Sequence, residues 1–203
     1  MPRTRAAEAP TRRNEVARAT REALLQAGLA LFARRGYAEV GTEEIVARAQ
    51  VTRGALYHHF DDKRDLFRAV HERVEEELME RVAARMEGAV DPWELILGGM
   101  RSFLDACEEP AVKQIALTDA PVVLGWKEWR EIDERHGLGL TRAALAGAVD
   151  AGVLRPMPIE PMAHLLVAAL SEAAFVIANA EQPRRARTEV EAALLHLIEG
   201  LRA

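Results

Sequence analysis

Apolar residues recur every three or four positions along most of this chain, the spacing of helices that bury one face. The helical period begins at about Asn14, and Gly36 is placed to end the first helix in a left-handed conformation. No run of residues alternates between apolar and polar as a half-buried strand would. We therefore predict an all-α fold. The apolar face of the first helix consists of Leu24, Ala27, Gly28, Leu31 and Phe32.

Two short helices separated by a tight turn are predicted next, over residues 42–63. Thr52 predicts the start of the second helix, because its hydroxyl can accept a hydrogen bond from a free backbone N–H. Leu56 and Phe60 lie four residues apart, so they share the face that docks onto a core. Thr42 is predicted to cap the first helix, whose N-terminus suits a phosphate. Such a pair, with the second helix facing outward, is a helix-turn-helix.

The outward face of the second helix has side chains that suit a DNA groove. Arg53 can bond a guanine edge, Tyr57 can reach a phosphate or a thymine methyl, and Gly54 allows close approach of the backbone. His59 and Lys63 flank this face and could hold phosphates. The same pattern also fits a solvated helix pair in an ordinary helical protein. The predicted DNA-binding residues are Thr42, Thr52, Arg53, Gly54, Ala55, Tyr57, His58, His59 and Lys63.

A long helix capped by Asp62 is predicted to continue to about Met86 and to belong to both halves of the protein. Beyond it, glycine and proline residues separate the remaining helices. Gly137 and Gly139 are expected to mark a bend in one of them. These helices are predicted over residues 92–107, 110–117, 126–152, 161–180 and 184–201.

Charge divides the chain into two parts. The formal net charge is −5, which is unusual for a DNA-binding protein taken as a whole. Residues 1–68, however, have 13 Lys and Arg against 9 Asp and Glu, a net charge of +4, whereas residues 69–203 have 14 against 23, a net charge of −9. The asymmetry favours a basic module that meets phosphate and an acidic body with other partners.

Composition indicates a soluble globular protein of one or two domains, with 203 residues, 49% of them hydrophobic and 29% charged. The longest apolar run, residues 162–180, contains His164, Ser171 and Glu172, so it suits a buried helix better than a membrane span. The first 13 residues lack the apolar segment of a secretory signal. We therefore expect a cytoplasmic protein without a membrane partner.

The first 13 residues, with four arginines and two prolines, are interpreted as a flexible basic arm. Such an arm could reach into a minor groove. A disordered charged tail without a DNA contact has the same composition.

The last two helices are the predicted dimer surface. Residues 162–176 have more apolar positions than one core requires, among them Leu165 and Val176. A monomer core could also account for this helix, but two operator half-sites demand a two-fold partner. The predicted interface residues are Leu166, Ala169, Leu170, Ala173, Leu194 and Leu197.

Several residues of the acidic half combine aromatic bulk with a few polar groups, the composition of a small-molecule pocket. Each of them alone is better explained as a core or surface residue than as part of a pocket, and no motif identifies a ligand. The candidate ligand-binding residues are Phe103, Cys107, Trp126, Trp129, His136, His164, Glu172 and Phe175.

Enzymatic chemistry is not expected. His58, His59, Asp61 and Asp62 could be drawn as a metal cluster, but adjacent residues of a helix point about 100° apart and do not converge on one ion. No nucleophile signature, glycine-rich phosphate loop or H-E-x-x-H motif occurs. The single cysteine excludes an internal disulfide and a multi-cysteine zinc site. We predict no catalytic residues, metal or cofactor.

Residues 18–78 resemble the DNA-binding domain of the tetracycline-repressor (TetR) family of transcriptional regulators. The resemblance implies a C-terminal body in which the last two helices form a four-helix bundle with those of a second copy, and which holds an inducer. One departure is Gln50, at a turn position that glycine usually fills in that family. The resemblance rests on Leu31, Phe32, Gly36, Tyr37, Thr42, Ile45, Ala49, Val51, Gly54, Leu56, Tyr57, His59, Phe60, Lys63, Leu66 and Phe67.

We therefore predict a basic arm over residues 1–13, a three-helix DNA-binding domain over residues 14–68 with its motif at about 41–60, and a helical ligand-binding and dimerisation domain over residues 69–203. The expected protein is a homodimeric transcriptional regulator, a repressor that a small, mostly apolar effector releases from a palindromic operator in double-stranded DNA. A helical adaptor that binds only proteins is the alternative, although it would leave the charge asymmetry unexplained.

Overall fold

The computed structural model describes residues 12–88 and 90–203, and its named elements are all helices, which confirms the all-α prediction. Of the predicted basic arm, residues 1–11 lie outside the described part, while Arg12 and Arg13 begin the first helix. The elements are α1 (Arg12–Arg35), α2 (Thr42–Ala49), α3 (Arg53–His59), α4 (Lys63–Met86), α5 (Pro92–Cys107), α6 (Pro110–Val112), a π-helical segment (Lys113–Asp119), α7 (Ala120–Val123), α8 (Trp126–Asp150), α9 (Ile159–Ala178) and α10 (Pro183–Glu199).

Local signals set several helix ends where they were predicted. Gly36 ends α1 with a φ of +78°. The Asp62 carboxylate accepts the Asp65 N–H at 2.7 Å and so caps α4. Asp91 caps α5 in the same way, and Pro92 occupies the first turn, where its missing N–H costs nothing.

The chain between α5 and α8 differs from the prediction. Instead of one helix over residues 110–117, α6 passes into the π-helical segment, in which the Thr118 hydroxyl donates to the Lys113 carbonyl five residues earlier, at 2.9 Å. This wider turn directs Ile115 and Ala116 inward, where both are buried. Short π-helical insertions are frequent at functional sites, and this one lies against α1.

Helix α8 runs without interruption through Gly137 and Gly139, so the two glycines do not end it. A Cβ atom at Gly137 would lie 3.8 Å from the Val167 side chain and 4.0 Å from the Met79 sulfur. The glycine therefore leaves room between α8 and its neighbours.

The helices form a head and a body that share α4. The head comprises α1, α2, α3 and the start of α4, and the body comprises the rest of α4 through α10. At 24 residues, α4 is roughly 36 Å long, enough to reach from one to the other. A single core cluster runs along it, from Leu24 and Phe32 in the head to Trp129 and Ile132 in the body. The head is therefore packed onto the body without a flexible linker.

Two smaller clusters complete the body. One lies between α5, α9 and α10 and includes Leu104 and Ile198, and the other includes Leu145 and Ala163 where α8 meets the start of α9. The chain end is fixed by backbone hydrogen bonds from Arg155 to Leu201 and from Ala203 to Val153. These bonds tie the C-terminus to the segment between α8 and α9.

Candidate nucleic-acid interface and effector site

The turn before α3 is held by its backbone and by one capping side chain. Gln50 is left-handed, with φ 56° and ψ 38°, as the glycine that is usual there would be. For a residue with a side chain this conformation costs about 1–2 kcal/mol. The Thr52 hydroxyl accepts the Ala55 N–H at 3.2 Å, so Thr52 caps α3 as predicted. The capped turn fixes the direction in which α3 projects.

Helix α3 is anchored on one side and open on the other. Leu56 is fully buried together with Ile45 of α2. The Arg53 guanidinium lies 5.7 Å from the centre of the Tyr57 ring, and one of its nitrogens is 3.8 Å from the Glu43 carboxylate. Both partners of that ion pair are exposed, so it competes weakly with a phosphate or a base edge. Four of the predicted residues within α3 are exposed: Arg53, Gly54, Tyr57 and His58.

Thr42 is not the cap of α2, which corrects one prediction. Gly41 occupies the cap position in extended backbone, and its N–H donates to the Glu44 carboxylate at 3.4 Å. Thr42 is half-buried in the first helical turn. Glu43 and Glu44 place negative charge in that turn, and this charge opposes the phosphate that we predicted there.

Lys63 also has a different role from the predicted phosphate contact. Its ammonium donates to the Tyr37 carbonyl at 2.6 Å and lies 4.0 Å from the centre of that ring. Burial lowers the pKa of Lys63, with the nearby Asp119 opposing the shift. Lys63 thus ties α4 to the loop after α1.

His59 is half-buried, and Ala55 is partly covered. Burial first, and then the positive neighbours His58 and Arg21, lower the pKa of His59. A neutral imidazole is a poorer partner for phosphate than a charged one. Of the two histidines, the exposed His58 is the better placed for DNA.

Polar contacts between residues distant in sequence join the head to the body. The Tyr37 N–H donates to the Asp119 carboxylate at 2.7 Å. Arg64 donates to the carbonyl of Val123 at 3.1 Å and to that of Leu124 at 3.0 Å. A side chain at Gly36 would come within 3.1 Å of Gln114, so glycine allows the π-helical segment to approach. Sequence patterns did not indicate this joint, because its partners lie about 60–80 residues apart.

Replacing Asp119 with alanine is expected to lower the free energy of unfolding by about 1–2 kcal/mol, because the Tyr37 N–H loses a charged partner. Denaturant titration measures the change. Asp150→Ala, which removes an exposed aspartate from the end of α8, is the matched control and should cost little. Equal stability of the two variants would show that the Tyr37–Asp119 bond does not join the head to the body.

The candidate ligand-binding residues do not converge on one pocket. Trp129 is buried, donates from its indole nitrogen to the Ala116 carbonyl at 3.0 Å, and packs 5.1 Å from the Phe175 ring. Trp126 is 61% exposed and Glu172 is exposed, so neither lies in the interior, which corrects those two assignments. The two differ from Trp129 because they lie on the outward faces of α8 and α9.

His164 also lies away from the core. It is half-buried between two carboxylates. Its Nδ1 atom lies 3.6 Å from the Glu134 carboxylate, and its Nε2 atom lies 3.7 Å from the Glu160 carboxylate. Phe103, His136 and Cys107 do reach the interior, and Cys107 is buried. Burial, and secondly the carboxyl of Glu75, raise the pKa of the Cys107 thiol well above its usual value. The thiol is therefore inert.

An apolar cavity of about 70 Å³ lies elsewhere in the body, and none of the eight candidates lines it. Met86 and Met100 border it, and their flexible thioethers can rearrange around a guest. Thr141 contributes a hydroxyl, which donates to the Gly137 carbonyl. The other residues around the cavity are Ile96, Gly99, Leu140, Ala144, Leu145, Leu166, Leu170, Leu194 and Ile198.

Four polar residues are buried between α4, α8 and α9: His71, Glu75, Asp133 and Ser171. The Ser171 hydroxyl donates to Asp133 at 2.9 Å, and His71 Nδ1 lies 3.8 Å from the Glu75 carboxyl. Burial raises the pKa of Glu75 to about 8, with Asp133 adding to the shift, and raises that of Asp133 itself to about 6. Burial also lowers the pKa of His71 to about 4. Sequence analysis missed this cluster, although His71 and Glu75 share the inward stripe of α4 with Leu78.

Comparison with known proteins decides the family. Residues 93–201 match the family model of the tetracyclin repressor-like C-terminal domain, which alone spans more than half of the chain, and residues 24–70 match that of the bacterial regulatory proteins of the tetR family. The chain belongs to the TetR family.

Three relatives illustrate the range of similarity. A TetR-family transcriptional regulator from Pectobacterium atrosepticum is 34% identical, with a TM-score of 0.85 over 96% of this chain and 98% of its own. RolR, crystallised with resorcinol, is 20% identical, with a TM-score of 0.72 over 90% of this chain and 89% of its own, and supports the fold alone. The HTH-type transcriptional repressor BepR of Brucella suis biovar 1 is 43% identical over 67 residues, 32% of each chain. The TetR-family chain is thus a helix-turn-helix transcriptional regulator, as predicted.

The predicted dimer residues of this TetR-family chain divide into two groups. Ala173 and Leu194 are buried within one protomer against α5, so they are core residues and their assignment is corrected. Leu166, Ala169 and Leu170 are partly covered by the same cluster. Leu197 is 59% exposed, as are Leu165 (65%) and Val176 (46%) on α9. The open apolar face therefore consists of Leu165, Val176 and Leu197, of which the predicted set contained one.

Helix α9 is long and apolar enough to cross a membrane by composition, with a mean hydropathy of 1.7. In this TetR-family fold it packs between α8 and α10, with Ala163, Val167 and Ile177 buried. Core helices pass the same test, so α9 is accounted for within the body. Among the described residues no group of three or more His, Cys, Asp or Glu side chains is arranged so that it could hold a metal ion.

Proposed function

We propose that this regulator is a cytoplasmic homodimer that binds a palindromic operator in double-stranded DNA through two α3 helices, and that it is a repressor released by a small effector. The observation that supports this best is the exposed face of α3. A short helix held by a capped turn and a buried Leu56 presents Arg53, Tyr57 and His58 together. Such a face fits a major groove.

A second copy is the proposed partner for the open face of α9 and α10. Leu165 and Val176 lie eleven residues apart, three turns along the same side of α9, and Leu197 lies on the adjoining α10. Exposed aliphatic side chains aligned in this way favour a partner. Two-fold pairing would also present two α3 helices to half-sites that are about 34–36 Å apart.

The effector is proposed to bind inside the body, and the joint would carry its effect to the head. Trp129 on α8 bonds Ala116 in the π-helical segment, and Asp119 of that segment bonds Tyr37 in the head. A guest that shifts α8 would therefore change how the head sits on α4. RolR, a neighbour in fold, holds resorcinol. The effector can shift DNA affinity only by its own preference between the two states, typically about 1–3 kcal/mol.

Replacing Arg53 with alanine is expected to weaken operator binding by about 1–3 kcal/mol and to relax the preference for one base pair in each half-site. The operator itself would come from selection of bound sequences out of random duplex DNA, in which a palindrome is expected. Titration of both proteins against operator and scrambled duplexes then measures the loss.

Arg85→Ala is the matched control, because Arg85 is exposed on the body end of α4. It should leave the preference between operator and scrambled DNA unchanged. If Arg53→Ala binds both duplexes as the unaltered protein does, α3 is not the reading helix. Selection without any enriched sequence would contradict the proposed function as a whole.

A further inference from the structure

The buried cluster of His71, Glu75, Asp133 and Ser171 is not satisfied within the described chain. Neither ring nitrogen of His71 has a hydrogen-bond partner there, although the residue is fully buried. The Glu75 carboxyl is buried too, and its contact with His71 at 3.8 Å is too long for a hydrogen bond. Asp133 receives one strong bond, from Ser171 at 2.9 Å. Buried polar groups without partners are costly, so their retention points to a ligand.

The surroundings of the cluster determine the charge that it would accept. The titratable and charged groups near it are Cys107 on α5 and Arg130, Glu134 and His136 on α8, with Arg187 on α10 near the thiol. Arg130 is shared between Asp133 at 3.3 Å and Glu134 at 3.0 Å. Two buried carboxyls therefore face the site, and Arg130, which Asp133 shares with Glu134, is the one cation that the described residues bring into hydrogen-bond distance of either. The local potential favours a positive guest.

One side of α8 connects the cluster to the apolar cavity. Asp133, Gly137 and Thr141 are spaced four residues apart on one side of α8, and Thr141 borders the 70 Å³ cavity. Asp133 and Thr141 are separated by roughly 12 Å along the helix axis. Gly137 lies between them without a side chain, facing Val167 and the sulfur of Met79. A guest held at Asp133 could extend an apolar body past Gly137 if the side chains of Val167 and Met79 shift, because a Cβ atom at Gly137 would already touch both.

We propose that this site binds an organic ammonium ion with an apolar tail, with the nitrogen between Glu75, Asp133 and His71 and the tail passing Gly137 into the cavity. An ammonium group has three N–H donors, and the three side chains can each accept one. Trp129 and Phe175 add aromatic surface nearby, which also suits a cation. The inference rests on the proposed function, because it names the chemical class of the effector.

Binding of a cation is coupled to proton release. Glu75 has a raised pKa of about 8 and is protonated at neutral pH, whereas an ammonium partner requires the carboxylate. The affinity for an amine should therefore increase by up to tenfold per pH unit as the pH rises from 6 to 8. The affinity for an uncharged molecule of the same shape should not follow pH in this way.

The test uses 4-phenylbutylamine and the uncharged 4-phenylbutan-1-ol with the full-length protein in the absence of DNA. Calorimetric titration in two buffers with different ionisation heats measures affinity and the protons released. We expect the amine to bind at least about tenfold more tightly than the alcohol at pH 8, with proton release below that pH. Equal affinities, or amine binding without dependence on pH, would overturn the proposal.

Variants separate the roles of the residues. Glu75→Gln should abolish proton release and lower amine affinity about tenfold or more, and Asp133→Asn should also lower it while keeping an acceptor for Ser171. Gly137→Leu should weaken the amine and the alcohol alike, because it fills the route. Glu76→Gln is the matched control, since Glu76 is exposed on the next position of α4. Amine affinity that survives both Glu75→Gln and Asp133→Asn would overturn the assignment.

Operator binding is measured separately, so the two proposals can fail independently. If the amine binds with proton release but leaves operator affinity unchanged, the ammonium site stands and its role as the effector site fails. If the operator is bound and neither probe binds, the ammonium proposal fails and the DNA-binding regulator stands.

Discussion

Replacing Leu197 with aspartate is expected to convert the proposed homodimer into monomers at micromolar concentration. Leu197 is 59% exposed in the single chain, so the substitution should leave the fold of each protomer intact. In a dimer it would bury an unpaired carboxylate next to Leu165 and Val176. Breaking an interface in this way costs about 3–5 kcal/mol, which is enough to separate a dimer of ordinary affinity.

Sedimentation velocity would measure the mass, and circular dichroism would report the retained helices. Val122→Asp is the matched control, because Val122 is 84% exposed on α7, away from the face of α9 and α10. It introduces the same charge and should leave the dimer intact. A Leu197→Asp protein that sediments as the unaltered one does would place the interface elsewhere, and an unaltered protein that is monomeric at micromolar concentration would refute the dimer.

The second large effect is expected for Glu75→Gln, which should remove a loss of stability that accompanies a rise in pH from 6.5 to 8. The pKa of Glu75 is about 8 in the folded protein and 4.5 when unfolded, so the folded state holds this proton more tightly. The stabilisation is complete below pH 4.5 and is lost as the pH rises through 8. The pKa of His71 is lowered from 6.5 to about 4, so His71 makes the free energy of unfolding increase with pH. This opposite effect is confined to pH values below 6.5.

Between pH 6.5 and 8 the Glu75 effect is therefore the main one of the cluster. The unaltered protein should lose about 2 kcal/mol of unfolding free energy across that window, at about 1.4 kcal/mol per pH unit. Glu75→Gln should be nearly flat there, while Glu76→Gln should retain the slope. Urea titrations at both pH values decide this. Parallel profiles for the two variants would mean that Glu75 is solvated.

Helices and their ends could be predicted because their signals are local. Thr52 and Asp62 cap helices with their own side chains, and Pro92 and Gly36 restrict or free the backbone at one position. The cap of α2 was assigned wrongly to Thr42 because threonine is also a good capping residue. The extended backbone at Gly41 and the Glu44 carboxylate place the cap at Gly41 instead. The π-helical segment was missed because residues distant in sequence determine its packing.

The exposed face of α3 followed from the sequence, since one turn of helix separates Arg53 from Tyr57. The role of Lys63 did not, because its partner is the Tyr37 carbonyl 26 residues away. Burial was equally hard to predict for charged residues. A pattern of apolar residues shows where the inward stripe of α4 lies, but not that Glu75 remains in it without a partner.

The dimer face shows why an apolar residue alone does not reveal its neighbour. Leu194 and Leu197 lie on the same helix, yet one contacts α5 of its own chain and the other is open. The rotation of α10 about its axis makes this difference. Only the packing of the helices determines that rotation. The sequence could therefore predict which helices carry the dimer surface, but not which of their residues are exposed on it.

The core shared by head and body also has a consequence for synthesis on the ribosome. The residues proposed to read DNA are translated first, but the cluster that packs Leu24 and Phe32 is completed by Val112, Ile115 and Ala116. A nascent chain that has just released α4 therefore exposes apolar surface along α1 until the π-helical segment emerges. We therefore expect the head to pack completely only after residues 112–116 have emerged, so a chain that is cut short before residue 112 should be less stable in its head than the full-length protein.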